Sequence, residues 1–141
     1  MLRELEKYKE QGEFSFGIDD RLSVQCNAPR HSSGIYIIYA NDISPSSLIY
    51  VGISGREGAD GNIVHRKDGI GGRIIKGKQF GDSRRNSWSL QMKVDQIETL
   101  HIKWYVTYGK FNKDFPRPIE HMLLEWYLAS KGHLPLWNKK T

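Results

Sequence analysis

The chain has 141 residues, a net charge of +5, 38% apolar and 26% charged residues, and one cysteine, Cys26. That length supports one domain with a modest core, the composition excludes a disordered or fibrous chain, and a lone cysteine excludes an intrachain disulfide. No apolar run reaches the roughly 18–20 residues of a membrane helix, and "MLRELEKYKE" lacks the apolar stretch of a signal peptide, so a cytoplasmic protein with no membrane contact is expected.

In chain order, Leu2–Gln11 spaces its charges for i,i+4 pairing and stops at Gly12, as a short helix would. Residues 12–33 hold "EFSF", "GIDD" and "NAPRHSSG", an irregular arm with turn residues and room for a short strand. Residues 1–33 therefore read as an N-terminal extension to a domain spanning 34–141. "GIYIIYA" and "LIYVGIS" are β-branched and aromatic runs joined by "NDISPSS", the pattern of a hairpin with a long loop. Tyr39 lies an odd offset from Tyr36 and should face the other side of its strand.

Residues 54–72 are glycine-rich and polar, and "IGGRIIKGKQF" suggests a short helix. In "NSWSLQMKVDQIETL", Leu90, Val94 and Ile97 recur at helical spacing as a core-facing stripe. "HIKWYVTY" alternates Ile102, Trp104, Val106 and Tyr108 with Lys103, Tyr105 and Thr107, as in a half-buried third strand. Ile119–Ser130 reads as an apolar helix with Met122, Leu123, Trp126 and Tyr127 inward, ended by Gly132 and followed by the ordered tail "HLPLWN". The expected fold is α+β: a small three-stranded antiparallel sheet flanked by helices.

Charge is concentrated. Arg56, Arg66, Lys67, Arg73, Lys76, Lys78, Arg84 and Arg85 fall within one thirty-residue stretch, and Lys139 and Lys140 lie near the end of the sequence. Such clustering favours a polyanion, because neutralised phosphates release counterions. The near match to a phosphate loop, "GRIIKGKQ", fails at Gln79, where a metal-binding hydroxyl should stand. The five histidines show no metal-ligand spacing. Glu125, between Leu124 and Trp126 in the apolar helix, calls for a partner or a metal if it is buried. Glu120, roughly 140° away around the same helix, sits near its start and suits the macrodipole.

At this point five elements, in order, resemble the GIY-YIG nuclease superfamily. "GIY" (Gly34–Tyr36) and "YVG" (Tyr50–Gly52) resemble the two-part signature. Arg73 in "GGRI" matches the family's helical arginine, "EHMLLEWYL" is similar to its glutamate helix and places the functional carboxylate at Glu125, and "LPLWN" resembles its terminal motif, giving Asn138. Together they span residues 34–138. The gap between Tyr50 and Arg73 is longer than in compact members, which leaves Arg66 as an alternative for the arginine. Gly77 stands where the family often has His or Tyr, so Lys67, Lys76 or His65 would have to assist the base.

The resemblance implies a metal-dependent endonuclease acting on double-stranded DNA, with catalysis by Tyr36, Tyr50, Arg73, Glu125 and Asn138. Tyr36 would be the general base, helped by Tyr50. Glu125 would hold Mg²⁺ or Mn²⁺, Arg73 would clamp a phosphate oxygen, and Asn138 would orient the tail. Arg56, His65, Arg66, Lys67, Lys76 and Lys78 would contact DNA. The leading subtype is a stand-alone restriction-type enzyme, which would cut both strands as a homodimer or by sequential nicking. Competing readings are a homing or repair nuclease, a non-catalytic nucleic-acid-binding module on the same fold, and a protein-interaction adaptor using Trp88 and Trp104.

Overall fold

The alternation in "EFSFG" places Phe14 and Phe16 inward and Glu13 and Ser15 outward, and this segment is a strand rather than an irregular arm. The structure, a computed structural model, describes residues 2–139, so Lys140 lies outside the described residues. In chain order the elements are β1 (Gln11–Gly17), α1 (Leu22–Gln25), β2 (Ser33–Ala40), β3 (Leu48–Ser54), β4 (Arg56–Glu57), β5 (Ile63–Val64), α2 (Gly69–Lys76), β6 (Lys78–Gln79), β7 (Asp82–Ser83), α3 (Arg84–Val94), β8 (Thr99–Tyr108) and α4 (Pro116–Lys131). The chain is α+β, as expected, but its main sheet has four antiparallel strands in the order β1-β8-β2-β3, not three.

The fourth strand changes β8. Lying between β1 and β2, it is covered on both faces: Ile102 and Val106 are buried on one side, Tyr105 and Thr107 on the other. A central strand of an antiparallel sheet with helices on both faces loses the polar side that a two-layer arrangement would leave it. One face packs Tyr36, Ile38, Tyr50 and Ile102 against Ile70, Ile74, Trp88, Met92 and Trp137 from α2, α3 and the C-terminal turn. The opposite face packs Ile35, Ile37, Tyr39, Val51 and Tyr105 against Leu123 and Tyr127 of α4 and Leu5 and Tyr8 of the N-terminal 3-10 turn, Leu2–Lys7. Tyr36 and Tyr39 thus take opposite faces, as their parity requires.

Two helices present a different face from the one read in the sequence. Leu90 and Val94 are 62% and 71% exposed, and α3 instead turns Arg84, Trp88 and Met92 inward, a set spaced four residues apart. On α4, Leu123 and Tyr127 face the sheet while Met122 is exposed. α4 begins with Pro116 and ends at Gly132, whose φ of 81° is left-handed and whose N–H bonds the Leu128 carbonyl, the usual stop. Among the described residues, no helix is long and apolar enough to cross a membrane.

Candidate functional site

Register brings the signature tyrosines together. Tyr36 lies opposite Gly52, and Tyr50 lies opposite Ile38, two register positions along with the Ile37–Val51 pair between, so both tyrosines share one face. Their ring centroids are 6.0 Å apart. Gly52 explains itself here: a Cβ on it would lie 2.5 Å from the Tyr36 Oη and closer still to Cζ, so the phenol rests on bare backbone. Gly34 is a second close approach, where a Cβ would strike the Tyr105 carbonyl oxygen of the neighbouring strand. The glycines beside the tyrosines are therefore required by packing before any ligand is considered.

The Tyr36 side chain is fully buried, and its hydroxyl has no hydrogen-bond partner among the described residues. An unpaired buried hydroxyl costs about 1–3 kcal/mol, and such groups in folded proteins call for an explanation. Tyr50 is also buried, with a phenol pushed well above the usual tyrosine range. Burial is the largest cause and the neighbouring Tyr36 adds to it, while the Arg84 and Arg73 guanidiniums pull the other way.

Arg84 is the residue that sequence reasoning missed. Its place in the basic stretch suggests an exposed cation, yet it is fully buried at the first turn of α3. Its guanidinium carbon lies 5.4 Å from the Tyr36 ring centre, 5.8 Å from that of Tyr50 and 5.3 Å from Trp88. Nε donates to Gln79 Oε1 at 3.1 Å, Nη1 to the Arg73 carbonyl at 3.1 Å, and Nη2 reaches toward the Tyr50 hydroxyl at 3.5 Å. Gln79, the residue at which the phosphate-loop pattern fails, also accepts the Trp88 indole N–H at 2.9 Å. The available signal was the spacing Arg84, Trp88, Met92, an inward stripe headed by a cation.

Arg73, on α2, is half-buried and lines a cavity of about 460 Å³ with Ser54, Gly55, Arg56, His65 and Arg66. Three of the six candidate DNA contacts, Arg56, His65 and Arg66, thus meet Arg73 in one basic hollow, and Arg66 stays beside it as the alternative arginine. The long connection is ordered here by the β4–β5 hairpin, with Arg56 opposite Val64, and by a 2.6 Å hydrogen bond between Ser33 Oγ and His65 Nδ1. Lys67, Lys76 and Lys78 are exposed and do not line this cavity, and Lys76 instead pairs with Asp68 at 2.8 Å.

The carboxylates are placed differently from the expectation. Glu125 is not buried in the apolar helix: its side chain is 67% exposed, and it meets His121 Nε2 at 3.0 Å. On α4 it points roughly 160° away from Tyr127, which faces the sheet. Glu120 lies within roughly 20° of Tyr127 and is half-buried. Its cavity, about 590 Å³, is also lined by Arg56, Glu57, Arg117 and His121, and Arg56 is shared with the cavity of Arg73. Burial holds the Glu120 carboxyl above the usual carboxylate range, offset by Arg117 and His121.

Asn138 closes the arrangement. Its Oδ1 accepts the Val51 N–H at 3.0 Å and its Nδ2 donates to the Val51 carbonyl at 3.1 Å. It thereby satisfies the free edge of β3 in the middle of "YVG" and anchors the turn carrying buried Trp137, whose Nε1 bonds Asp95 at 2.9 Å. Asn138→Ala leaves both groups of Val51 without this partner and is expected to lower stability by about 1–3 kcal/mol, read as a shift in the urea midpoint at constant slope.

No family model, no curated protein and no solved structure matches this chain.

Proposed function

We propose that this protein is a metal-dependent endonuclease that hydrolyses phosphodiester bonds of double-stranded DNA. The observation that carries this reading is the Tyr36–Tyr50 pair on one sheet face, with Tyr36 seated on Gly52, together with Arg73, whose charge reaches Tyr50 and which lines a basic cavity with Arg56, His65 and Arg66. Phosphodiester hydrolysis needs a group to take a proton from water, cations against the charge growing on phosphorus, and a fixed geometry between them. Tyr36 is the general base. Arg73 clamps a non-bridging phosphate oxygen through its planar fork. Arg56, His65 and Arg66 seat the flanking backbone, and Asn138 holds the strand that carries Tyr50.

Among the described residues no three His, Cys, Asp or Glu side chains converge as a metal site, so a hard divalent cation would be held by one or two carboxylates with water filling the rest of its shell. Glu120 and Glu57 place two carboxylates on one cavity, and burial alone raises the cost of the Glu120 charge, which a cation would relieve. Bound there, Mg²⁺ or Mn²⁺ would supply charge stabilisation for the phosphoryl oxygens. Glu125, exposed and engaged by His121, is the weaker candidate for this role.

The test is cleavage of supercoiled plasmid with Mg²⁺ and with chelator. Relaxed or linear product only with metal supports the reading, and no product under any divalent metal, with DNA still bound, leaves a binding module. A restriction-type role is the leading form of this proposal, with double-strand cutting by a dimer or by sequential nicks. DNA seating has its own measurement. Arg56→Ala with Arg66→Ala is expected to reduce the slope of log affinity against log salt by about two, one for each phosphate that is no longer neutralised. An unchanged slope would remove the basic hollow from the DNA path.

A further inference from the structure

A guanidinium buried without a carboxylate is expensive, because charge is disfavoured in a low-dielectric interior unless something compensates it. Arg84 is such a group: fully buried, absent from the ion pairs among the described residues, and held by neutral acceptors on Gln79 and Arg73. Its remaining nitrogen points at the Tyr50 hydroxyl, and its guanidinium lies close to both tyrosine rings. Three aromatic rings around one cation give some compensation, and the unpaired Tyr36 hydroxyl adds a second unsatisfied group in the same place. Two costly features side by side are both relieved by one event, the appearance of negative charge on the tyrosine pair.

We propose that Arg84 is the built-in counter-charge of Tyr36 and Tyr50, a positioning residue that holds the pair and stabilises the phenolate formed when it gives up one proton to water. In that step one phenol O–H bond breaks, solvent water takes the proton as hydronium, and the electron pair stays on the oxygen facing the guanidinium. The phenolate can then accept a proton from the attacking water. This use in hydrolysis rests on the nuclease reading, but the charge pairing itself does not. Arg84 fills the assisting role for which Lys67, Lys76 and His65 are less suited, since Lys67 is exposed away from the cavity, Lys76 is occupied by Asp68 and His65 by Ser33.

Among the described residues, the titratable and charged groups acting on the pair are these: each phenol faces the other from β2 and β3, Arg73 approaches from α2 and Arg84 from α3. The repulsion between phenolates applies only to the second proton, so the first leaves with two guanidiniums in its favour, and the two protons belong to the pair rather than to either ring. Tyr39, buried on the opposite face and held up by burial with no guanidinium to offset it, serves as the main internal reference, and Tyr105 beside it is raised by burial and further by Tyr39, Glu6 and Glu13.

The experiment is an NMR titration of protein labelled with carbon-13 at tyrosine Cζ, with signals assigned by Tyr36→Phe and Tyr50→Phe. In the unsubstituted chain the pair should release its first proton at lower pH than Tyr39 and Tyr105. Arg84→Gln should raise that first ionisation by at least about one pH unit, a tenfold change, while Arg84→Lys, which keeps the charge, should move it by less than half as much. Where cleavage is measurable, the rising limb of its pH–rate profile should shift with the ionisation while DNA affinity holds. A first ionisation at or above that of Tyr39 and Tyr105 overturns the proposal without any variant. Equal shifts in the Gln and Lys variants also overturn it, since packing rather than charge would then be the cause. Because the titration needs no DNA, it can succeed or fail independently of cleavage.

Discussion

Glu120→Gln is expected to reduce single-turnover, Mg²⁺-dependent cleavage by at least about a hundredfold, the scale of losing one charge-stabilising group at a reacting phosphate, while Glu125→Gln changes it by less than about threefold. The two residues sit on one helix and differ in what the helix packs against. Leu123 and Tyr127 fix the rotation of α4, which turns Glu120 toward the Arg56 cavity and Glu125 to solvent. The amide keeps the volume of Glu120 and removes its charge, so packing and DNA affinity should be retained. The Glu120 carboxyl is held above its ordinary value by burial, so its ionised form is disfavoured in the fold. That penalty is absent at pH below its unfolded value and develops as pH rises through the carboxylate range. The Gln variant should consequently be as stable as the parent or slightly more stable at neutral pH without metal. Severe loss in Glu125→Gln with normal activity in Glu120→Gln would return the role to Glu125.

What the sequence made legible follows from what is local. The parity of Tyr36 and Tyr39, the "GIY" and "YVG" strands, the stop at Gly132 and the tail of Asn138 depend on nearest neighbours and short spacings, and all are found in the structure. Less legible were the features set by distant packing. The rotation of α3 depends on Trp88 meeting Phe16 and Trp137, so Leu90 and Val94, apolar at the right spacing, end in solvent. The apolar neighbours Leu124 and Trp126 suggest a buried Glu125, but neighbours in a helix sequence point in different directions. Arg84 is hidden by its type. Arginine is nearly always exposed or paired, and only a tertiary cage of three rings and two carbonyl acceptors makes a buried one recognisable. "EFSF" carries its strand alternation openly, but its pairing with β8 joins residues far apart in sequence.

Tyr36→Phe is expected to separate activity from stability: cleavage falls by at least about a hundredfold, the loss of a general base, while the protein becomes no less stable. The second half is the informative one. A tyrosine kept for packing alone would have its hydroxyl hydrogen-bonded, and removing it would then cost stability. Here the ring is fully buried on Gly52 and the hydroxyl has no partner among the described residues. Phenylalanine preserves the ring's contacts with Gly52, Tyr50 and Arg84 and deletes only the unpaired group, whose burial costs about 1–3 kcal/mol. At roughly 2–4 °C per kcal/mol for a chain near this size, the melting temperature should rise by a few degrees. Tyr50 should respond as well, since removal of the neighbouring phenol eliminates one of the causes that hold its ionisation up. A site that retains a destabilising hydroxyl because the chemistry requires it predicts this opposition of rate and stability. Calorimetry and single-turnover cleavage on the same preparation measure both sides. A variant that melts several degrees lower, or one that cleaves at the parental rate, would make Tyr36 a core residue with a hydroxyl and no part in the reaction.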